Sequence, residues 1–212
     1  PGFWKDAPVE RHVTQRRFSL LSREGELAFS FKTGAYNDPP YNHTWTVLRA
    51  KFDRWFAEQV ETAGAMIIPG MMVSEVLLDG GKVVGVKTEP GGDELRCDVV
   101  ICAEGVNSFI AEQMGLRKLH DPAHMAAAVK EVIGLPRHVI EDRFQLSGEE
   151  GSAWEVFGQA VQGTFGSGFV YTNKESVSLG VGATIHDMKR YKLNPNDVLE
   201  QFKRHPAISP LV

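Results

Sequence analysis

Val13, Phe18 and Leu20 stand among polar neighbours along residues 12–21, and Leu27, Phe29 and Phe31 alternate along 26–31, with Ser22-Arg-Glu-Gly25 between them. A period of two marks half-buried strands, and a short polar stretch ending in Gly joins them as a hairpin. Residues 34–42, rich in Pro, Asn and Tyr, read as a loop, and 44–48 as a short strand with Trp45 and Val47 on one face. The period then changes. Phe52, Trp55, Phe56, Gln59, Val60 and Ala63 fall at helical spacing, and Gly64 supplies the positive φ that ends a helix most easily. Residues 65–68 predict an apolar strand, and 73–78 and 82–88 flank the hairpin turn Asp79-Gly-Gly81. A further turn at Pro90-Gly-Gly92 leads into 94–96. Residues 98–103 read as a continuous apolar strand, the kind buried on both faces of a parallel sheet. Asn107-Ser108 then caps a short helix over 109–114, closed by Gly115.

Beyond this point the pattern predicts a strand over 125–132, a helix over 137–144 after Pro136, and antiparallel strands over 152–157, 166–171 and 176–184. Residues 195–204 predict a helix with Pro195 near its start and Asn194 as its cap. The fold class is therefore α/β to α+β, with α/β elements first and a meander with helices after. No internal repeat is visible.

Composition narrows the function classes. With 212 residues, 42% hydrophobic and 24% charged, the chain is long enough for a sizeable core. A net charge of −4 without a long Lys/Arg block argues against a nucleic-acid partner. Arg16-Arg17 and Lys189-Arg190 read as solvated basic pairs. Cys97 and Cys102 are too few for an iron–sulfur cluster, and the expected state is buried free thiols in a reducing cytoplasm. No apolar run is long enough to span a membrane and no signal peptide is seen. Pro1-Gly-Phe-Trp-Lys-Asp lacks an initiator Met, and Pro206-Ala-Ile-Ser-Pro-Leu-Val212 stops in mid-course, so the chain reads as an internal segment.

The chemistry centres on residues 97–108. An apolar strand delivers Glu104 and Gly105 to its C-terminal end, where ligands of open α/β sheets bind. Gly105 removes a side chain where a ligand must approach the backbone, and the helix after Asn107-Ser108 offers amide groups and a positive dipole end to a phosphate. The Glu104 carboxylate suits ribose or ribityl hydroxyls, or a pyrophosphate reached through water. An ordinary strand–turn–helix with an N-cap fits the same spacing. Arg49 stands where a strand becomes a helix. Its charge opposes the helix dipole there, which an anionic ligand nearby would explain; an exposed first-turn residue is the alternative. His120, Asp121 and His124 lack further ligands at usable spacing and read as loop residues rather than a metal site. No Ser/His/Asp or Cys/His arrangement appears, so no catalytic residue is assigned.

Several of these segments resemble one family. Ala103-Glu-Gly-Val-Asn-Ser108 after its apolar run resembles the flavoprotein fingerprint Ala-Asp-Gly-x-x-Ser, with Glu104 in place of Asp. Arg49-Ala-Lys-Phe-Asp-Arg-Trp-Phe56 resembles the Arg-x-x-Phe/Leu-Asp-x-x-Leu helix of the same superfamily. Residues 64–76 resemble the strand and turn that pass beneath an adenine, which would place the Val73 backbone at its edge. The Gly-rich run 163–180, residues 125–132 with Lys130-Glu131, and Phe202-Lys-Arg-His-Pro206 resemble the FixC-type electron-transfer-flavoprotein:quinone oxidoreductases, and the likeness runs from Trp4 to Leu211.

That resemblance implies a partial FAD-binding domain, Rossmann-like and of the glutathione-reductase type, beside an antiparallel-sheet substrate domain. Residues 1–48 would be substrate-domain strands with a connecting loop, 49–120 part of the FAD-binding domain, and 121–212 the sheet that faces substrate or quinone. The implied FAD contacts are Arg49, Val73, Ala103, Glu104, Gly105, Asn107 and Ser108. The implied partners are electron-transfer flavoprotein subunits, a ferredoxin-like protein carrying the iron–sulfur centre, and a quinone, for which Phe165, Phe169 and Tyr171 offer a flat apolar slot or are simply sheet core. The family also implies a cytoplasmic protein in peripheral contact with the inner face of the cell membrane, with Phe3 and Trp4 as candidate contacts. A geranylgeranyl-reductase-like flavoenzyme and an inert folded segment are the other readings. The Gly-x-Gly-x-x-Gly that seats a pyrophosphate is absent from this sequence, so the chain alone is expected to bind FAD poorly.

Overall fold

Strand β1 (Val9–Leu21) organises the larger part of the molecule. In the computed structural model, which describes residues 3–118 and 121–212, the chain divides into two compact units. One comprises residues 1–58 and 121–212, the other 59–120. The side chains of Phe3 and Trp4, and all of His120, lie outside the described residues.

In the larger unit β1 turns back at Ser22–Gly25 into β2 (Glu26–Lys32), as its alternation predicts. The Ser22 hydroxyl accepts the Gly25 N–H at 3.0 Å and fixes the turn. Strand β3 (Trp45–Val47) pairs with the beginning of β1 and leads into helix α1 (Arg49–Thr62). Gly64 follows at φ +90°, the left-handed conformation expected of it.

The smaller unit is a three-stranded antiparallel sheet, β4 (Met72–Asp79), β5 (Lys82–Glu89) and β6 (Glu94–Arg96), with helix α2 (Phe109–Gln113). Gly80 and Gly81 both take positive φ in the β4–β5 turn, which is why a Gly pair stands there. Two expectations fail in this unit. Residues 65–68 and 98–103 are not strands, and Met66, Val99 and Ile101 are 84%, 72% and 86% exposed. An apolar run becomes a buried strand only when neighbouring strands satisfy its backbone, and no described strand pairs with either run. Cys97 and Cys102 are exposed for the same reason.

The rest of the larger unit comprises β7 (Ala126–Gly134), α3 (Arg137–Phe144), β8 (Glu150–Gly158), β9 (Gly166–Thr172), β10 (Ser176–Thr184), α4 (Ile185–Arg190) and α5 (Pro195–Arg204). Asn194 caps α5 by accepting the Asn196 N–H at 2.9 Å, as predicted. Helix α4 was not anticipated; the Thr184 hydroxyl starts it by accepting the Asp187 N–H. The strands form one sheet in the order β2-β1-β8-β9-β10-β7, with β3 also on β1. All pairings are antiparallel except β1 with β8, which is parallel and pairs strands that flank residues 59–120 in the sequence. One face of the sheet packs Val156, Val170, Leu179 and Val181 against Ile140 and Phe144 of α3 and Val198, Leu199 and Phe202 of α5. Burial of each such side chain contributes about 1.5–3 kcal/mol.

A bulge between Val13 and Gln15 shifts the β1 alternation, so Arg17, Ser19 and Leu21 face the core while Arg16, Phe18 and Leu20 face away. Before the bulge, Arg11 is fully buried. It donates to the carbonyls of Asn173 (2.8 Å), Glu150 (3.0 Å) and Gly148 (3.2 Å) and pairs with Glu141, tying β1 to the β9–β10 turn and the segment before β8.

Candidate functional site

The turn 103–108 lies in the smaller unit, and its geometry is set by Glu104. Both carboxylate oxygens accept backbone hydrogen bonds from the first turn of α2, Oε1 from Ile110 at 2.9 Å and Oε2 from Ala111 at 3.1 Å. These amides therefore do not stand open for a phosphate, contrary to the expectation for this helix start. Ser108 is the residue before the helix but does not cap it with its side chain. Its hydroxyl donates to the Gly105 carbonyl at 2.7 Å and accepts from the Arg117 guanidinium. These bonds hold Ser108 at φ 46°, a left-handed conformation that costs a non-Gly residue about 1–2 kcal/mol. Gly105 is left-handed too, at φ 68°, and nothing lies within 4 Å of where a Cβ would stand. An approaching group meets bare backbone there. Ala103 and Asn107 are exposed beside it.

Val73 stands on β4 opposite Thr88, beside an irregularity in the ladder, and is 40% exposed. Arg49 belongs to the larger unit, at the first position of α1. Its guanidinium pairs with Asp53 one turn on, at 2.8 and 3.1 Å, so the charge that opposes the helix dipole is answered by a carboxylate of the same helix. The hydrogen bonds that Arg49 donates to the Asp53 carboxylate raise the Arg49 pKa. Among the described residues no group of three or more His, Cys, Asp or Glu side chains is placed to hold a metal.

A second feature lies on the outer face of the large sheet, where a cavity of about 300 Å³ opens among Arg16, Phe18, Trp45, Lys130, Glu155 and Tyr171. Tyr171 is half-buried and its ring stacks on Phe169, with centroids 4.8 Å apart and planes 24° from parallel. Burial pushes the Tyr171 phenol above its ordinary 10.0; the Glu155 carboxylate adds to this and the Arg16 guanidinium opposes it. The side chains of Arg16, Lys130 and Glu155 make no hydrogen bond or ion pair with another described residue. Phe169 and Tyr171 thus stand on the outer face rather than in the core. Phe165 is outside β9 and 81% exposed, apart from them. Arg16-Arg17 is not a solvated pair: Arg16 lines the cavity, and Arg17 lies on the core side, its guanidinium 4.6 Å from the Trp154 ring centre. The sequence signal that could have marked Arg16 and Glu155 is alternation, which the β1 bulge obscures.

No family model matches the chain. All of the chain aligns with Protein FixC of Azorhizobium caulinodans at 41% identity, and with the probable electron transfer flavoprotein-quinone oxidoreductase YdiS of Escherichia coli at 44%. It spans about half, 49%, of the length of each. Among solved structures, a geranylgeranyl bacteriochlorophyll reductase-like protein from Thermoplasma acidophilum superposes with a TM-score of 0.65 at 18% identity, over 95% of this chain and 47% of that one. The myxobacterial chondrochloren halogenase CndH, described as a variant of FAD-dependent halogenases, superposes with a TM-score of 0.69 at 18% identity, over 96% and 45%. At these identities the structural likenesses establish the fold: a mixed α/β arrangement with the large sheet and the small antiparallel sheet together.

Proposed function

Since the chain belongs in sequence with the FixC proteins from end to end, we propose that it forms about half of an FAD-dependent oxidoreductase. That enzyme would take electrons from an electron-transfer flavoprotein and pass them to a quinone, with a ferredoxin-like protein as a further partner. The observation that carries the reading is the turn 103–108, where a strained Ser108 and an open Gly105 follow an apolar run without strand partners. Exposed runs of this kind fit a sheet whose remaining strands come from other parts of a longer protein.

When bound, FAD supplies the redox chemistry, and the protein's work is to hold and orient it. Gly105 would admit the cofactor to the backbone, and Ala103, Asn107 and Ser108 would line its approach. Glu104 would offer the lone pairs its two amide bonds leave over. Val73 would present backbone to the adenine edge, and Arg49 would exchange part of its pairing with Asp53 for a phosphate oxygen. The sheet-face cavity would be the substrate side.

The test is flavin content. The chain alone should purify colourless, and a longer version that adds the Gly-rich first strand should purify with flavin. Glu104→Ala in the longer version should lower the flavin-to-protein ratio. A well-folded longer version without flavin would sink the reading. Reduction of isoprenoid double bonds is a second reading, favoured by the exposed apolar strip of Phe18, Leu20, Leu27 and Phe29 beside the cavity. Turnover with a quinone against turnover with a prenyl alkene separates the two.

A further inference from the structure

The side chains of Arg16, Lys130 and Glu155 at the sheet-face cavity make no hydrogen bond or ion pair with another described residue, and their placement follows from strand register. Residues paired across strands share a face. Arg16 on β1 is opposite Ala153 on β8, which is opposite Tyr171 on β9, which is opposite Ser178 on β10. The next row runs Phe18, Glu155, Phe169, Gly180 and Lys130. Gly180 lacks the Cβ that would come within 2.6 Å of the Phe169 ring, so that ring lies against the sheet and supports Tyr171 by stacking. Around Tyr171 stand Arg16 from β1, Glu155 from β8 and Lys130 from β7; Arg17 also borders the cavity, but its guanidinium is engaged by Trp154 and Glu26, and β3 and β10 contribute Trp45, Thr46 and Ser178, which carry no charge.

We propose that Tyr171 gives a proton to the carbonyl oxygen of a quinone ring seated in this cavity, and that the exposed Glu155 returns a proton to Tyr171 from solvent. This rests on the quinone reading above. A quinone that accepts two electrons becomes a hydroquinone only by accepting two protons. The electrons come from the reduced flavin of the whole enzyme. At the quinone, a C=O π bond opens as an O–H bond forms, and the Tyr171 O–H bond breaks. The Glu155 carboxylate picks up a proton from solvent and passes it to the phenolate, and a second passage delivers the second proton. Arg16 cannot serve as donor because its guanidinium does not deprotonate. With Lys130 it stabilises the negative charge that builds on the ring oxygens before protons arrive. Burial favours the protonated form of the phenol, so Tyr171 carries the proton it gives.

The chain itself supports a first test. A water-soluble naphthoquinone should quench Trp45, read as the difference between the chain and Trp45→Phe, and its carbonyl infrared band should move to lower frequency on binding. Tyr171→Phe should abolish the band shift and weaken binding about fivefold, the loss of one hydrogen bond. In the flavin-loaded longer protein, Tyr171→Phe should lower the ratio of quinone to ferricyanide reduction rates about 100-fold, since ferricyanide takes electrons without a proton. No quinone binding to the parent chain would remove the quinone reading itself. Binding with an identical carbonyl band in parent and Tyr171→Phe, or an unchanged rate ratio, would remove the role of Tyr171 alone. Should Tyr171→Phe fail to fold, Glu155→Gln carries the test: the same rate ratio must fall, and an unchanged ratio overturns the relay.

Discussion

Glu104 closes the start of α2 with both of its carboxylate oxygens. The bonds satisfy two of the amides that a helix leaves unpaired, and the negative charge suits the positive dipole end. The extra methylene that distinguishes Glu from the Asp of the fingerprint thereby acquires a purpose: it lets one carboxylate reach two successive amides six and seven positions on. Glu104→Ala should destabilise α2 by about 1 kcal/mol, the usual cost of a lost cap. Glu104→Asp, too short for both bonds, should fall between. Hydrogen exchange at the Ile110 and Ala111 amides measures both; equal protection in all three proteins would refute the capping role. The sequence marked the same residue as an acid after an apolar run, but not as a cap, because a cap reached from six residues away leaves no local pattern.

Strands β9 and β10 show how far backbone proximity, rather than side-chain chemistry, selects residues. A Cβ at Gly180 would stand 2.5 Å from the Val129 carbonyl oxygen and 2.6 Å from the Phe169 ring, whereas one at Gly182 would meet Ala128 Cβ at 3.1 Å. Gly180→Ala should therefore destabilise the larger unit by about 1–3 kcal/mol, as overpacking does, and Gly182→Ala by clearly less. Thermal melts of the two variants check this, and the reverse order would contradict it. Hairpins announced by Ser22–Gly25 and Asp79–Gly81, and helix α5 with its Asn194 cap, were legible because turn and cap residues act locally. Residues 65–68 and 98–103 were misread because an apolar run states a wish for burial and not the presence of neighbours. Arg16 was misread because one extra residue at the bulge exchanges the faces of everything after it.

At the scale of the molecule, the two units are unequally buttressed. The apolar cluster of Ile140, Phe144, Val156, Leu179, Phe202 and their neighbours belongs wholly to the larger unit, while Val76 and Ile110 are the buried apolar side chains described in the smaller one. Local opening follows the density of buried contacts. Amide exchange over β4–β6 and α2 should therefore be faster than over β8–β10, and uniform protection across the chain would contradict that account. The parallel pairing of β1 with β8 adds a constraint in time. His12 is hydrogen-bonded alongside Glu150, with the whole smaller unit threaded between them in sequence. A ribosome adds about 5–20 residues per second, so β1 leaves the exit tunnel on the order of ten seconds before its central neighbour exists. During that interval the hairpin with β2 can form, but the other edge of β1 stays open. Until β8 emerges, the nascent chain thus carries an unpaired, partly apolar strand edge, the form of backbone on which stray strands pair.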